Sequence, residues 1–156
     1  MGKIAASACL CGIPCRYDGR DNRVEAIARL YQQGRVQAVC PEVQGGLPVP
    51  RTPCELCGGR VLDRDGRDRT DAFLQGAQKA LQLAVWAGAR VAVLKEGSPS
   101  CGCRRIYDGS FSGVKIPGMG VAARLFQQEG IRVFSENELE EALAVWREAD
   151  PPGGAV

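Results

Sequence analysis

Short apolar blocks alternate with longer amphipathic stretches along most of this chain. Residues 3–9, 36–39, 90–94 and 131–134 are dominated by Ala, Val, Ile, Leu and Phe at successive positions. They have strand length, and their continuous apolar character is that of strands buried on both faces. Between them the period changes. Over 23–33, Val24, Ile27, Ala28 and Tyr31 fall at helical spacing, with Asn22 as a cap and Gly34 as a stop. Over 70–86, an apolar stripe of Phe73, Ala77, Leu81, Ala84 and Val85 predicts a long helix, opened by Thr70 or Asp71 and closed by Gly88. A third helix is predicted over 118–128, ended by Gly130. A fourth starts at a capping box of Ser135 and Glu138 and runs to about residue 148. Val61-Leu62 reads as a short strand before a turn at Arg64-Asp65-Gly66. Residues 40–59 and 101–117 follow neither period, are rich in Gly and Pro, and read as long functional loops.

The order of strands and helices predicts an α/β fold. It is a single domain over 1–150, a mostly parallel, Rossmann-like sheet with helices on both faces, followed by a flexible Pro/Gly tail at 151–156. Three of the strands lead to a thiol. The first runs into Cys9, the second into Cys40-Pro41-Glu42, and the third, through Gly97-Ser98-Pro99-Ser100, into Cys101. Side by side in a parallel sheet, these sulfurs meet at the carboxyl edge, where open α/β sheets bind ligands.

Composition sharpens this picture. The chain has 156 residues, 8 of them Cys and none His. Its N-terminus lacks the apolar core of a signal peptide and no run can span a bilayer, so a cytoplasmic, membrane-free protein is expected. In a reducing compartment, clustered thiols point to metal binding or chemistry rather than a disulfide framework. Without histidine there is no Cys-His pair and no mixed Cys/His zinc site. A net charge of +2 does not indicate nucleic acid as a partner. The oligomeric state is not readable.

Three thiolates suit a cubane iron–sulfur cluster with one iron left free, or a zinc ion completed by water. Cys11, Cys15 and Cys103 lie near enough in sequence to replace a ligand. Cys54 and Cys57 form a lone C-x-x-C without the second pair of a zinc knuckle, and read as a local disulfide, two buried thiols or a redox-sensitive dithiol. Glu42, two residues after Cys40, shares its face in extended chain. Beside an anionic centre its pKa is expected to rise, which suits proton transfer. Ser7, Ser98 and Ser100 place hydroxyls beside the thiols. Arg16, Arg51, Arg104 and Arg105 can hold an anion or balance a cluster's charge. Residues 118–123 fit the letters G-x-G-x-x-A but follow a loop, which leaves at most an anion site at a helix N-terminus. The two Tyr-Asp-Gly segments, at 17–19 and 107–109, are expected to flank the same sheet edge.

Taken together, several motifs resemble the thiouracil desulfurase family. They are Ser7-Ala8-Cys9-Leu10 with Cys15-Arg16-Tyr17-Asp18-Gly19, Val39-Cys40-Pro41-Glu42, Gly45-Gly46-Leu47-Pro48 with Pro50-Arg51, Leu94-Lys95-Glu96 with Ser98-Pro99-Ser100-Cys101-Gly102, and Ile106-Tyr107-Asp108-Gly109-Ser110-Phe111. The resemblance spans residues 3 to about 141. It implies a [4Fe–4S] cluster held by Cys9, Cys40 and Cys101, with one iron not ligated by protein and open to the substrate's sulfur. It further implies removal of sulfur from a thiolated pyrimidine, base or nucleoside, without net redox change and with release of sulfide. In that reaction Glu42 activates water and Ser100 orients the ring. Cys11, Cys54, Cys57 and Cys103 depart from the family pattern, so a second reading stays open: a non-catalytic module that binds zinc or a cluster for structure or sensing.

Overall fold

The computed structural model describes residues 2–149, so the tail expected at 151–156 lies outside the described residues. In chain order the elements are β1 (Ile4–Ser7), α1 (Glu25–Gln32), β2 (Val36–Val39), α2 (Pro41–Gln44), β3 (Cys54–Cys57), β4 (Arg60–Asp63), α3 (Thr70–Trp86), β5 (Val91–Leu94), β6 (Arg105–Tyr107), β7 (Lys115–Pro117), α4 (Val121–Gln128), β8 (Arg132–Ser135) and α5 (Leu139–Ala149).

Four strands form one parallel sheet in the order β2-β1-β5-β8. Alternation along the strands divides the core. Ile4, Ala6, Val91 and Val93 face a cluster with Ile27 of α1 and Ala142 and Trp146 of α5. Ala5, Ala92 and Leu94 face the opposite cluster with Ala80 and Ala84 of α3 and Ala123 and Phe126 of α4. The central strands β1 and β5 are buried along their whole length because helices cover both faces, while the edge strands β2 and β8 carry Gln37 and Arg132. The expected α/β architecture is therefore the observed one.

The two long loops are not free of structure. The first holds α2 and β3, and β3 pairs with β4 as an antiparallel hairpin. The second holds the β6–β7 hairpin. Val61-Leu62 lies in β4, as expected; β3, β6 and β7 have three or four residues and little alternation, so neither period marks them. Two expected caps are also displaced. Asn22 accepts a hydrogen bond from Arg16 Nη1 at 2.9 Å, and Val24 occupies the N-cap of α1 without a side-chain bond. Thr70 lies inside α3, where its hydroxyl accepts from the Val61 amide at 2.9 Å and ties the helix to the β3–β4 hairpin. The capping box of Ser135 and Glu138 forms as expected, over a short 3-10 turn before α5.

One contact seats the functional edge on the fold. Helix α2 lies backbone against backbone on α3: a Cβ at Gly76 would run into the Pro41 carbonyl, and one at Gly45 into the Ala72 carbonyl. Gly76→Ala removes a helix-interior glycine, a gain of about 1 kcal/mol in propensity. The overlap is with backbone on both sides, and overpacking of this kind costs about 1–3 kcal/mol. Steric overlap wins. We expect a lower urea midpoint with an unchanged slope, and a net loss of up to about 2 kcal/mol.

Candidate metal centre and active site

The carboxyl edge of the sheet carries three thiols on three differently built loops. Cys9 falls inside a 3-10 turn, Ala8–Cys11, that follows β1 directly. Gly12 closes that turn at φ 96°, where it donates to Cys9 O, and the Asn22 amide donates to the same carbonyl at 3.0 Å. Cys40 leaves β2 at the N-cap of α2, and Pro41 in the first turn needs no hydrogen-bond partner for its nitrogen.

Cys101 sits on a loop with no element of its own, and side chains hold it instead. Glu96 Oε1 accepts the amide N–H groups of Gly97 at 3.3 Å and of Cys103, Arg104 and Arg105, each at 3.0 Å. Burial opposes ionisation of Glu96, but these amide bonds outweigh it and hold its carboxyl below the usual range. Ser98 Oγ accepts from the amides of Ser100 and Cys101 at 3.1 and 3.0 Å. Ser7 Oγ accepts from the Lys95 amide at 2.9 Å, so the end of β1 is stitched to the start of this loop. The N-terminus of α4 closes the arrangement. Val121 N–H donates to Pro99 O, and Ala122 and Ala123 N–H donate to Ser100 O, at 2.8–3.1 Å. The glycine-rich run at 118–123 therefore grips the Cys101 loop; the anion expected at that helix end has no free amides to bind.

These loops enclose a cavity of about 440 Å³ lined by Cys9, Cys40 and Cys101, with Glu42, Ser100 and Arg51. Cys9 and Cys101 are buried and Cys40 is half-buried. Cys15 joins them: its thiol lies within hydrogen-bond reach of both Cys9 and Cys40. That contact lowers the Cys9 and Cys40 thiols, against the effect of burial. It pushes Cys15 itself far up. Burial pushes Cys101 up to about 12, opposed by the hydroxyls of Ser7 and Ser100. Among the described residues no three His, Cys, Asp or Glu side chains draw together as ligands of one metal ion. A four-iron cube holds its thiolates at separate corners and asks for a wider spread than zinc does.

Glu42 lines the same cavity with both oxygens engaged. Oε1 accepts from Arg51 Nε at 3.0 Å, and Oε2 accepts from Ser100 Oγ at 3.0 Å. Arg51 is deeply buried and also donates to the Pro48 and Cys15 carbonyls at 3.2 and 3.0 Å. One guanidinium thus fixes the catalytic candidate and the loop of Cys15 together. Sequence reasoning places Arg51 near the thiols but not its pairing with Glu42, which depends on how two loops cross. The Glu96 clamp leaves no signal beyond a carboxylate just after a strand.

The other candidates divide. Cys11, Cys57 and Cys103 turn their thiols to backbone carbonyls, of Ser7, Gly109 and Phe134 respectively. Cys54 lines the cavity wall. Cys54 and Cys57 are free thiols, and three residues apart on one strand they point to opposite faces, so the local disulfide is not formed. Arg104 pairs with Glu138 at 2.6 Å, and Arg16 with Asp18 at 2.9 Å. Tyr17 and Tyr107 both line the cavity, as expected of the two Tyr-Asp-Gly segments. No helix is long and apolar enough to cross a membrane among the described residues.

Comparison with known proteins agrees with this geometry. The family model for 2-thiouracil desulfurase matches residues 4–138. The uncharacterized protein YbbK of Bacillus subtilis (strain 168) is 43% identical over 150 residues, covering 90% of this chain and 99% of that protein. Among solved structures, the [4Fe-4S]-dependent thiouracil desulfidase TudS superposes with a TM-score of 0.89 at 47% identity, covering 93% of this chain and 97% of that one. With the match running through every loop that carries a site thiol, the chain belongs to the 2-thiouracil desulfurase family.

Proposed function

We propose that this protein is an iron–sulfur enzyme that removes sulfur from a thiouracil-like pyrimidine, leaving the oxo base and sulfide. The observation that carries the reading is the convergence of Cys9, Cys40 and Cys101 in one cavity with a Glu42–Ser100 hydrogen bond. The donor set fits a [4Fe–4S] cluster: three sulfurs from three strand ends and no imidazole anywhere in the chain. Cys9, Cys40 and Cys101 would hold it. When bound, it supplies a Lewis-acidic iron for the thiocarbonyl sulfur.

The chain's own groups supply the rest. The overall change, C=S plus water to C=O plus H₂S, transfers no electrons, so protons are what the residues must manage. Glu42 Oε2 is the site that accepts a proton from water as it attacks the ring carbon. Arg51 holds Oε1 and so fixes which oxygen faces the cavity. Ser100 Oγ, shared between Glu42 and Ser98 at 3.0 and 2.9 Å, is placed to hold a ring heteroatom by hydrogen bond. Val39, Pro41 and Pro53 supply apolar wall that limits bulk water.

The test is purification without oxygen followed by sulfide measurement. We expect brown protein with about four irons per chain, the count of one cubane. It releases sulfide from 2-thiouracil in a one-to-one ratio with uracil. Colourless protein with bound zinc, or iron-loaded protein silent on every thiopyrimidine base and nucleoside tried, would sink the reading.

A further inference from the structure

The motif at 106–111 is not used by the chemistry above, yet its last residue lines the same cavity. Three aromatic residues stand there: Tyr17, Tyr107 and Phe111. Cations of the chain lie over two of the rings, Arg16 at 5.9 Å from the centroid of Tyr17 and Lys115 Nζ at 5.3 Å from that of Tyr107. Among the described residues none lies so over Phe111.

Phe111 is held in an unusual way. It sits in the turn between β6 and β7 at φ 57°, a left-handed conformation that a bulky residue rarely adopts. Such a conformation persists only where the surroundings over-determine it. Here they do. Glu55 on β3 is buried, and its Oε1 accepts the amides of both Gly109 and Phe111, at 3.0 and 3.2 Å. Cys57 Sγ donates to Gly109 O at 3.3 Å. Gly109 lies so close to β3 that a Cβ there would stand 2.6 Å from the Leu56 carbonyl oxygen. A glycine at 111 would take this backbone shape without help. The chain instead keeps a phenyl ring there and buries a carboxylate to hold it.

The geometry points to Phe111 as the platform on which the pyrimidine ring stacks, with Glu55 as the positioning residue that locks the platform in place. The assignment rests on the reading that a planar thiopyrimidine is the substrate. Its chemistry is direct: base–aromatic stacking tolerates any ring substituent, because every base has a π face. Position 111 thus sets affinity for the ring, while Glu42 and the thiols act on the C–S bond.

The test separates binding from turnover by using uracil, the sulfur-free product, as the probe in calorimetry on the iron-loaded protein. Phe111→Ala weakens uracil binding and raises KM for 2-thiouracil, each by at least about fivefold, with kcat and iron content near wild type. Phe111→Tyr restores both. Phe111→Leu, which keeps bulk but lacks a π face, stays weak. Glu55→Ala reproduces the Phe111→Ala phenotype, whereas Glu55→Gln, whose carbonyl accepts the same amides, retains most of the affinity. Unchanged uracil affinity in Phe111→Ala, or full affinity in Phe111→Leu, overturns the platform. Wild-type protein that binds uracil through Phe111 yet releases no sulfide from any thiopyrimidine supports the platform and refutes the reaction.

Discussion

Cys9→Ala, Cys40→Ala and Cys101→Ala are each expected to yield colourless protein with iron near zero and no sulfide release, while Cys54→Ala retains both. The three thiols come from loops that follow three different strands, and among the other cysteines only Cys15 touches two of them. Cys11 and Cys103 are turned to the carbonyls of Ser7 and Phe134. A cluster bound by two thiolates has lost one of its three protein ligands and is open to dissociation. Cys15 provides the discriminating control. Its thiol contacts both Cys9 and Cys40, so it is the one residue placed to substitute for either. Under the present assignment Cys15→Ala keeps its iron. Iron lost from Cys15→Ala but kept in Cys9→Ala would move the ligand role from one to the other. Iron and sulfide quantification on the five anaerobic variants, with circular dichroism to confirm folding, reads out every case.

Much of this is legible in the sequence. The parallel sheet follows from apolar runs of strand length alternating with helical stripes. Convergence of Cys9, Cys40 and Cys101 follows from the rule that parallel strands end at one edge. What escaped is short or tertiary. Strands β3, β6 and β7 are too brief to show a period and are held by pairing to a neighbour, whereas Val61-Leu62 does mark β4. Cys9 is expected at the end of a strand but lies in a 3-10 turn that begins directly after Ser7. The Glu96 clamp on four amides and the Arg51–Glu42 pair join residues whose proximity no local pattern encodes. The glycines at 118 and 120 misled in the opposite direction. They fit the letters of a dinucleotide fingerprint without its strand, and Gly120 is small because the Ser100 backbone lies against it.

Glu42→Gln is expected to give iron-loaded, correctly folded protein whose sulfide release falls by about 10²–10⁴-fold, the usual worth of a positioned base. Gln is nearly isosteric, so the geometry survives. Arg51 Nε still donates to the amide oxygen in the place of Oε1. Ser100 reverses, its hydroxyl accepting from the new NH₂ where it had donated to Oε2. What the variant lacks is any lone pair basic enough to take a proton from water. A role in positioning alone predicts a small loss; a role in proton transfer predicts a large one at unchanged iron content. Ser100→Ala separates the two partners of Glu42. It deletes a hydrogen bond to a carboxylate, so a loss of about 10- to 100-fold is expected, close to the worth of such a charged bond. Arg51→Met is harsher, because Glu42 would be left partly buried without its cation. Steady-state sulfide release with parallel iron analysis decides the matter. Glu42→Gln retaining more than about a tenth of the wild-type rate would show that water is activated elsewhere in the cavity.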